Sequence, residues 1–166
     1  VAVLLAFPVL IVAVLLQTIV VATLPLLSGF ADLVLLVLVA WALQERARSA
    51  WIWAMIAGAL VTFLSAVPLG TPFAGYLLVT AVARIFRRRV WQTPILSMFF
   101  ITFVSSLLYQ GLVMAALMFE GTPLPLLDSL NLVILPGTLL NLLLALPIYA
   151  AVTDVAHWVY PEEVEV

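Results

Sequence analysis

The residues in this chain able to do chemistry are few and scattered. Glu120 and Asp128 lie in one short connection between apolar runs, and two carboxylates are the minimum for general acid and base work. No nucleophile, metal motif or third polar group accompanies them, so a catalytic pair at that position is disfavoured and the chain reads as non-enzymatic. His157 is the only histidine, and one histidine cannot hold a metal. Cysteine is absent, which removes disulfides, thiolate catalysis and cysteine metal sites. No cofactor, metal or nucleic-acid partner is expected.

Set within long apolar runs are Gln17, Thr62, Ser65, Thr80, Ser105, Ser106, Gln110 and Asn141. None is ionised. A charge at the centre of a membrane helix costs about 2.5–3.5 kcal/mol on insertion scales and usually marks an ion or proton path. Its absence disfavours an ion-driven pump. The amides and hydroxyls are expected to join helices through hydrogen bonds worth about 0.6–2 kcal/mol each. Ala54, Gly58 and Thr62 recur at helical spacing, with Ser65 continuing the same face. Small residues so placed let two backbones approach closely, either inside the chain's own bundle or in a groove for a partner's helix. Asp32 stands at the start of an apolar run, where a carboxylate meets a helix N-terminus favourably. Arg84, Arg87, Arg88 and Arg89 form a basic cluster that serves as a topology anchor or meets anionic lipid.

The elements that must position these groups follow from composition. Of 166 residues, 67% are hydrophobic and only 8% charged, and mean hydropathy is +1.34. Soluble domains sit near 45–50% apolar with about 25% charged, so there is too little polar surface here to cover a core against water. Lipid must be the outer solvent. A helix needs about 20 residues to cross a hydrocarbon layer roughly 30 Å thick. On that scale the chain divides into spans at about 4–24, 31–44, 50–67, 72–86, 94–119 and 137–158. Residues 124–135 carry Asp128, Ser129 and Asn131 and are expected to be re-entrant or interfacial. The fold class is therefore an all-α polytopic membrane bundle of six transmembrane helices in a single domain. Spans two and four are short, so they either thin the bilayer or are shielded at their ends by neighbouring helices. Pro147 is expected to bend the last span. The first span has no basic start and no cleavage site, and reads as a retained helix instead of a signal peptide; a short N-terminal piece is expected before Val1.

Charge placement tests that layout independently of hydropathy. All six basic residues are arginines: Arg46 and Arg48 follow span two, and the remaining four end span four. Cytoplasmic loops collect arginine, so both termini are predicted to be cytoplasmic and the proline-rich loops external. The five tryptophans, Trp41, Trp51, Trp53, Trp91 and Trp158, all fall at the same predicted interface, where indole rings prefer to sit. Asp154 and the acidic residues Glu162, Glu163 and Glu165 lie on that side and could pair with the arginines.

The ordered polar landmarks resemble a known family. Gln17, then Pro25 and Ser28-Gly29, then Asp32 opening the run Leu33–Val39, are similar to the start of the bacterial rod shape-determining protein MreD family. Gly58 to Ser65 with Pro68-Leu69-Gly70 and the basic run from Arg84 to Arg89, and Leu135-Pro136-Gly137 with Asn141 and Pro147, resemble its later segments. The resemblance spans nearly the whole chain; one departure is Thr62, where family members often carry an aspartate. It implies a non-enzymatic subunit of the cell-elongation machinery in the bacterial inner membrane, binding the single transmembrane helix of MreC. RodA and penicillin-binding protein would be linked through that complex. The family's fold looks like the substrate-binding subunits of energy-coupling-factor vitamin transporters, and a vitamin-binding module is the alternative reading. Such a module needs a mostly enclosed pocket with convergent polar or aromatic groups; a scaffold needs a lateral groove. The short external loops offer few such groups, which favours the scaffold.

Overall fold

A computed structural model describes residues 2–23, 29–45, 47–87, 93–123 and 125–160. Among them the chain is all helical, with no β-strand. The helices are α1 (Ala2–Thr23), α2 (Leu33–Leu43), α3 (Ala50–Leu64), α4 (Thr71–Arg87), α5 (Pro94–Phe119) and α6 (Leu126–Val159). Three are long and apolar enough to cross a membrane by length and composition: α1 over Ala2–Ile19, α5 and α6. Their outer faces carry exposed Leu4, Phe7, Leu15 and Ile19 on α1, Leu96 and Phe103 on α5, and Leu139 and Leu143 on α6. Apolar side chains facing outward along helices of this length mark a membrane protein.

Helix α2 is the centre. Its sequence is apolar on every side, and a helix of that kind has no solvent face to offer. Leu33 through Ala42 are all buried, and α2 touches every other helix. Eleven residues rise only about 16 Å, well short of the hydrocarbon layer. Neighbouring helices surround it on every side. Around it α3 packs on α4, α4 on α5, and α5 on α6.

The α3–α4 contact explains the small residues at positions 54 and 58. Both are buried, and a Cβ at Gly58 would lie 2.7 Å from the Cα of Phe73 on α4. That stretch of the small-residue face is occupied by the chain's own helix. The face ends sooner than the expected 50–67 span implies. Helix α3 stops at Leu64, and Ser65 is extended at φ −98° and ψ 146°. Its Oγ accepts from the Val67 N–H at 3.2 Å, a local bond that competes with helix, and Pro68 biases Val67 away from helical geometry. Ser65 thus does not continue the face of Ala54, Gly58 and Thr62.

Two further expectations need correction. Residues from Leu126 onward are not an element separate from the last span: they form the start of α6, joined through a π-helical turn at Leu130–Ile134. Pro136 lacks the N–H that would bond the carbonyl four residues back, and a wider turn just upstream is how a helix absorbs that loss without ending. The tryptophans also divide. Trp51 and Trp158 are exposed as belt residues would be, but Trp41 and Trp53 are fully buried. Their rings stack at 4.1 Å, and the Trp53 indole N–H donates to the Ala2 carbonyl at 3.0 Å. They lock α2 to α3 and hold the start of α1. Trp91 lies outside the described residues.

Replacing Gly58 with leucine should force α3 away from Phe73 and lower stability by about 1–3 kcal/mol, the usual range for overpacking. Gly58→Ala should show a smaller loss. Denaturant unfolding in detergent micelles reads both, and a leucine variant as stable as the parent would contradict the packing described.

Candidate functional site

Asp32 caps α2, and the landmarks of the other helices gather around it. Its Oδ1 accepts from the Leu35 N–H at 2.9 Å, an N-cap bond of the ordinary kind. Its own N–H donates to Asn141 Oδ1 on α6 at 2.7 Å, and Asn141 Nδ2 donates to Ser106 Oγ on α5 at 2.9 Å. The Tyr76 hydroxyl on α4 donates to the carboxylate, 3.2 and 3.1 Å from its two oxygens. Gln17 on α1 accepts weakly from the Val34 N–H at 3.4 Å. Five helices therefore meet at one polar node in an otherwise apolar bundle.

Beside the node lies a partly open cavity of about 370 Å³. Gln17, Asp32, Ser65, Tyr76, Tyr109, Gln110, Ser129 and Asn141 contribute its polar lining, and Val61, Val113, Met114, Leu117, Val133 and Ile134 its apolar walls. Tyr109 stacks on Tyr76 with ring centroids 4.9 Å apart and planes 13° from parallel. Gly75 makes that possible, because a Cβ there would lie 2.5 Å from the Tyr109 ring. The Gln110 Oε1 is buried and has no hydrogen-bond partner among the described residues. The lining contains one carboxylate and no arginine, lysine or histidine. Such a site can hold and orient a guest.

The remaining predicted residues sit elsewhere. Ala54 and Gly58 are in the α3–α4 contact, and Thr62 is partly buried on α3 with its Oγ1 unpartnered among the described residues. Glu120 caps the end of α5 and Asp128 lies in the first turn of α6; both are exposed and neither lines the cavity. Arg84 and Arg87 lie at the far end of α4 from Tyr76. Arg84 donates to the Ala47 carbonyl at 2.7 Å, and Arg87 to those of Gln44 and Glu45 at 3.0 and 3.1 Å. These two arginines hold the α2–α3 connection, whatever they do at a membrane surface. Arg46, Arg88, Arg89, Glu162, Glu163 and Glu165 lie outside the described residues. Among the described residues no group of three metal-ligating side chains occurs.

Reading the sequence missed Tyr76, Tyr109 and the cavity itself. The lining is drawn from helix faces together with Phe30, Ala31, Ser65 and Val67 of the described connections. The available signal was a tyrosine next to glycine (Gly75-Tyr76) and another next to an amide (Tyr109-Gln110), since a buried tyrosine hydroxyl needs a partner. Comparison with family models, with curated proteins and with solved structures finds no match for this chain.

Asn141→Ala should destabilise by about 1–3 kcal/mol, because it strands the Asp32 N–H and the Ser106 hydroxyl in an apolar interior. Ser129→Ala, at the rim of the cavity, should stay within about 0.5 kcal/mol of the parent. Equal effects in the same unfolding assay would mean that the node does not bind the bundle together.

Proposed function

We propose that the chain is a non-enzymatic scaffold subunit of the bacterial cell-elongation machinery. In this reading it lies in the inner membrane with six crossings and both termini cytoplasmic, and holds the transmembrane helix of MreC. RodA and a penicillin-binding protein would be reached through that contact. The observation that carries the reading is the meeting of Gln17, Asp32 and Asn141 at one node. These residues, remote in sequence, carry the family resemblance, and their common structural task gives a physical reason for their order along the chain. The exposed apolar faces of α1, α5 and α6 suit lateral contact with a helix in lipid. Arg84 and Arg87 at one end and the cavity at the other are consistent with the basic end facing the cytoplasm.

A second reading is a substrate-binding membrane subunit of the vitamin-transporter type. The cavity favours it, since polar groups from every helix or its flank converge there.

Purification from the native membrane followed by mass spectrometry separates the two. The scaffold reading expects a stoichiometric single-span protein; recovery of a stoichiometric vitamin without such a partner would reverse the order. Orientation has its own check, because the parent lacks cysteine. Leu69→Cys and Thr122→Cys should react with an impermeant maleimide added outside intact cells, and Arg48→Cys only after lysis. Labelling of Arg48→Cys from outside would overturn the assigned topology.

A further inference from the structure

The cavity beside α2 has a chemical bias that neither reading of the protein's role specifies. Asp32 supplies its only formal charge among the lining residues. A carboxylate offers about four lone-pair sites, and the Leu35 and Val34 N–H groups and the single Tyr76 proton occupy at most three of them. Gln110 adds a buried oxygen with no partner. An acceptor left unpaired in an apolar interior is unfavourable, and a donor-rich guest relieves it. The Tyr109 ring lines the same cavity and stacks on that of Tyr76. An aromatic face attracts cations as well as flat apolar groups.

We infer that the cavity binds a small organic cation, with an ammonium or heteroaromatic nitrogen head against Asp32 and Gln110 and a flat apolar body along Tyr109. Size limits the guest: about 370 Å³ lies near the small end of ligand pockets, which run from roughly 300 to 1,000 Å³. Charge limits it further. An ethanolamine phospholipid would bring a phosphate next to its amine, and the lining has no basic side chain to receive that phosphate. The guest is therefore a free cation and not a phospholipid headgroup. A charge-assisted hydrogen bond to the carboxylate supplies the discrimination against neutral molecules of the same shape.

The test is calorimetric titration of the full chain in detergent with three probes of matched shape: phenethylammonium, 2-phenylethanol and 3-phenylpropionate. The cation should bind at least tenfold more tightly than the alcohol, and the carboxylate should not bind. Asp32→Asn keeps an N-cap of equal quality and an acceptor for Tyr76, so its unfolding midpoint should fall only slightly, by the lost helix-dipole contribution, while its preference for the cation disappears. Met114→Trp, which fills the apolar wall, should abolish binding of both cation and alcohol. Equal affinity for cation and alcohol, an unaltered preference in Asp32→Asn, no binding by any probe, or displacement of a co-purified phospholipid by the cation would each overturn the inference. None of these results depends on whether a single-span partner co-purifies, so the inference and the scaffold reading can fail separately.

Discussion

A short helix buried in an apolar bundle has two ends to satisfy and no water to satisfy them. Helix α2 sets that requirement here. Its first N–H groups and last carbonyls lack intrahelical partners, and in a lipid-surrounded interior each one left bare is strongly unfavourable. At the N-terminal end the donors of Asp32, Val34 and Leu35 go to Asn141, Gln17 and the Asp32 carboxylate. At the other end Arg87 takes the carbonyls of Gln44 and Glu45, and Arg84 that of Ala47 in the following turn. The side chain of Gln44 reaches Thr153 on α6 at 2.9 Å. Each of these polar ties reaches an end or flank of α2.

That arrangement gives one cause to two features usually explained apart. In the sequence the arginines cluster after α2 and at the end of α4, and the proposed orientation rests on that bias. Two of them, Arg84 and Arg87, stand beyond the C-terminal end of α2, where the helix dipole favours cations. At the N-terminal end the dipole favours an anion, and Asp32 is there. In the proposed orientation, capping and charge bias would call on the same residues.

Length, proline and polarity were legible in the sequence; lateral arrangement was not. Helix α5 begins and ends where Pro94 and Glu120 imply, because its punctuation is local. Helix α3 ends early because a serine hydroxyl outcompeted one more helical turn, a difference of a single bond that hydropathy cannot register. The start of α6 was misjudged because Asp128, Ser129 and Asn131 lowered its hydropathy, yet a π-turn carried the helix through Pro136. The preference of indole for interfaces says nothing of lateral burial, and only the tertiary contact reveals that Trp41 and Trp53 stack to lock α2 against α3. For the site, Gln17, Asp32 and Asn141 stood out as polar groups amid leucine, but nothing local says that they meet. Tyr76 and Tyr109 counted as apolar residues, and only the tertiary contact reveals their hydroxyl and stacking roles.

The cavity follows from the same constraint. Hydrogen bonds around Asp32 fix the separations of α1, α2, α4, α5 and α6 at one level of the bundle, and bonds of this kind tolerate less adjustment than apolar packing does. Side chains held for their polar atoms cannot also slide to fill the space beside them, so space remains between Tyr109, Val133 and Leu117. A cavity framed in this way is formed before any guest arrives, and little ordering is needed on binding. Its walls also have a structural task, which means that removing a wall residue confounds loss of binding with loss of the bundle. Asparagine at position 32 separates the two, since it keeps the cap and an acceptor for Tyr76 while discarding the charge, leaving only the helix-dipole contribution as a structural loss.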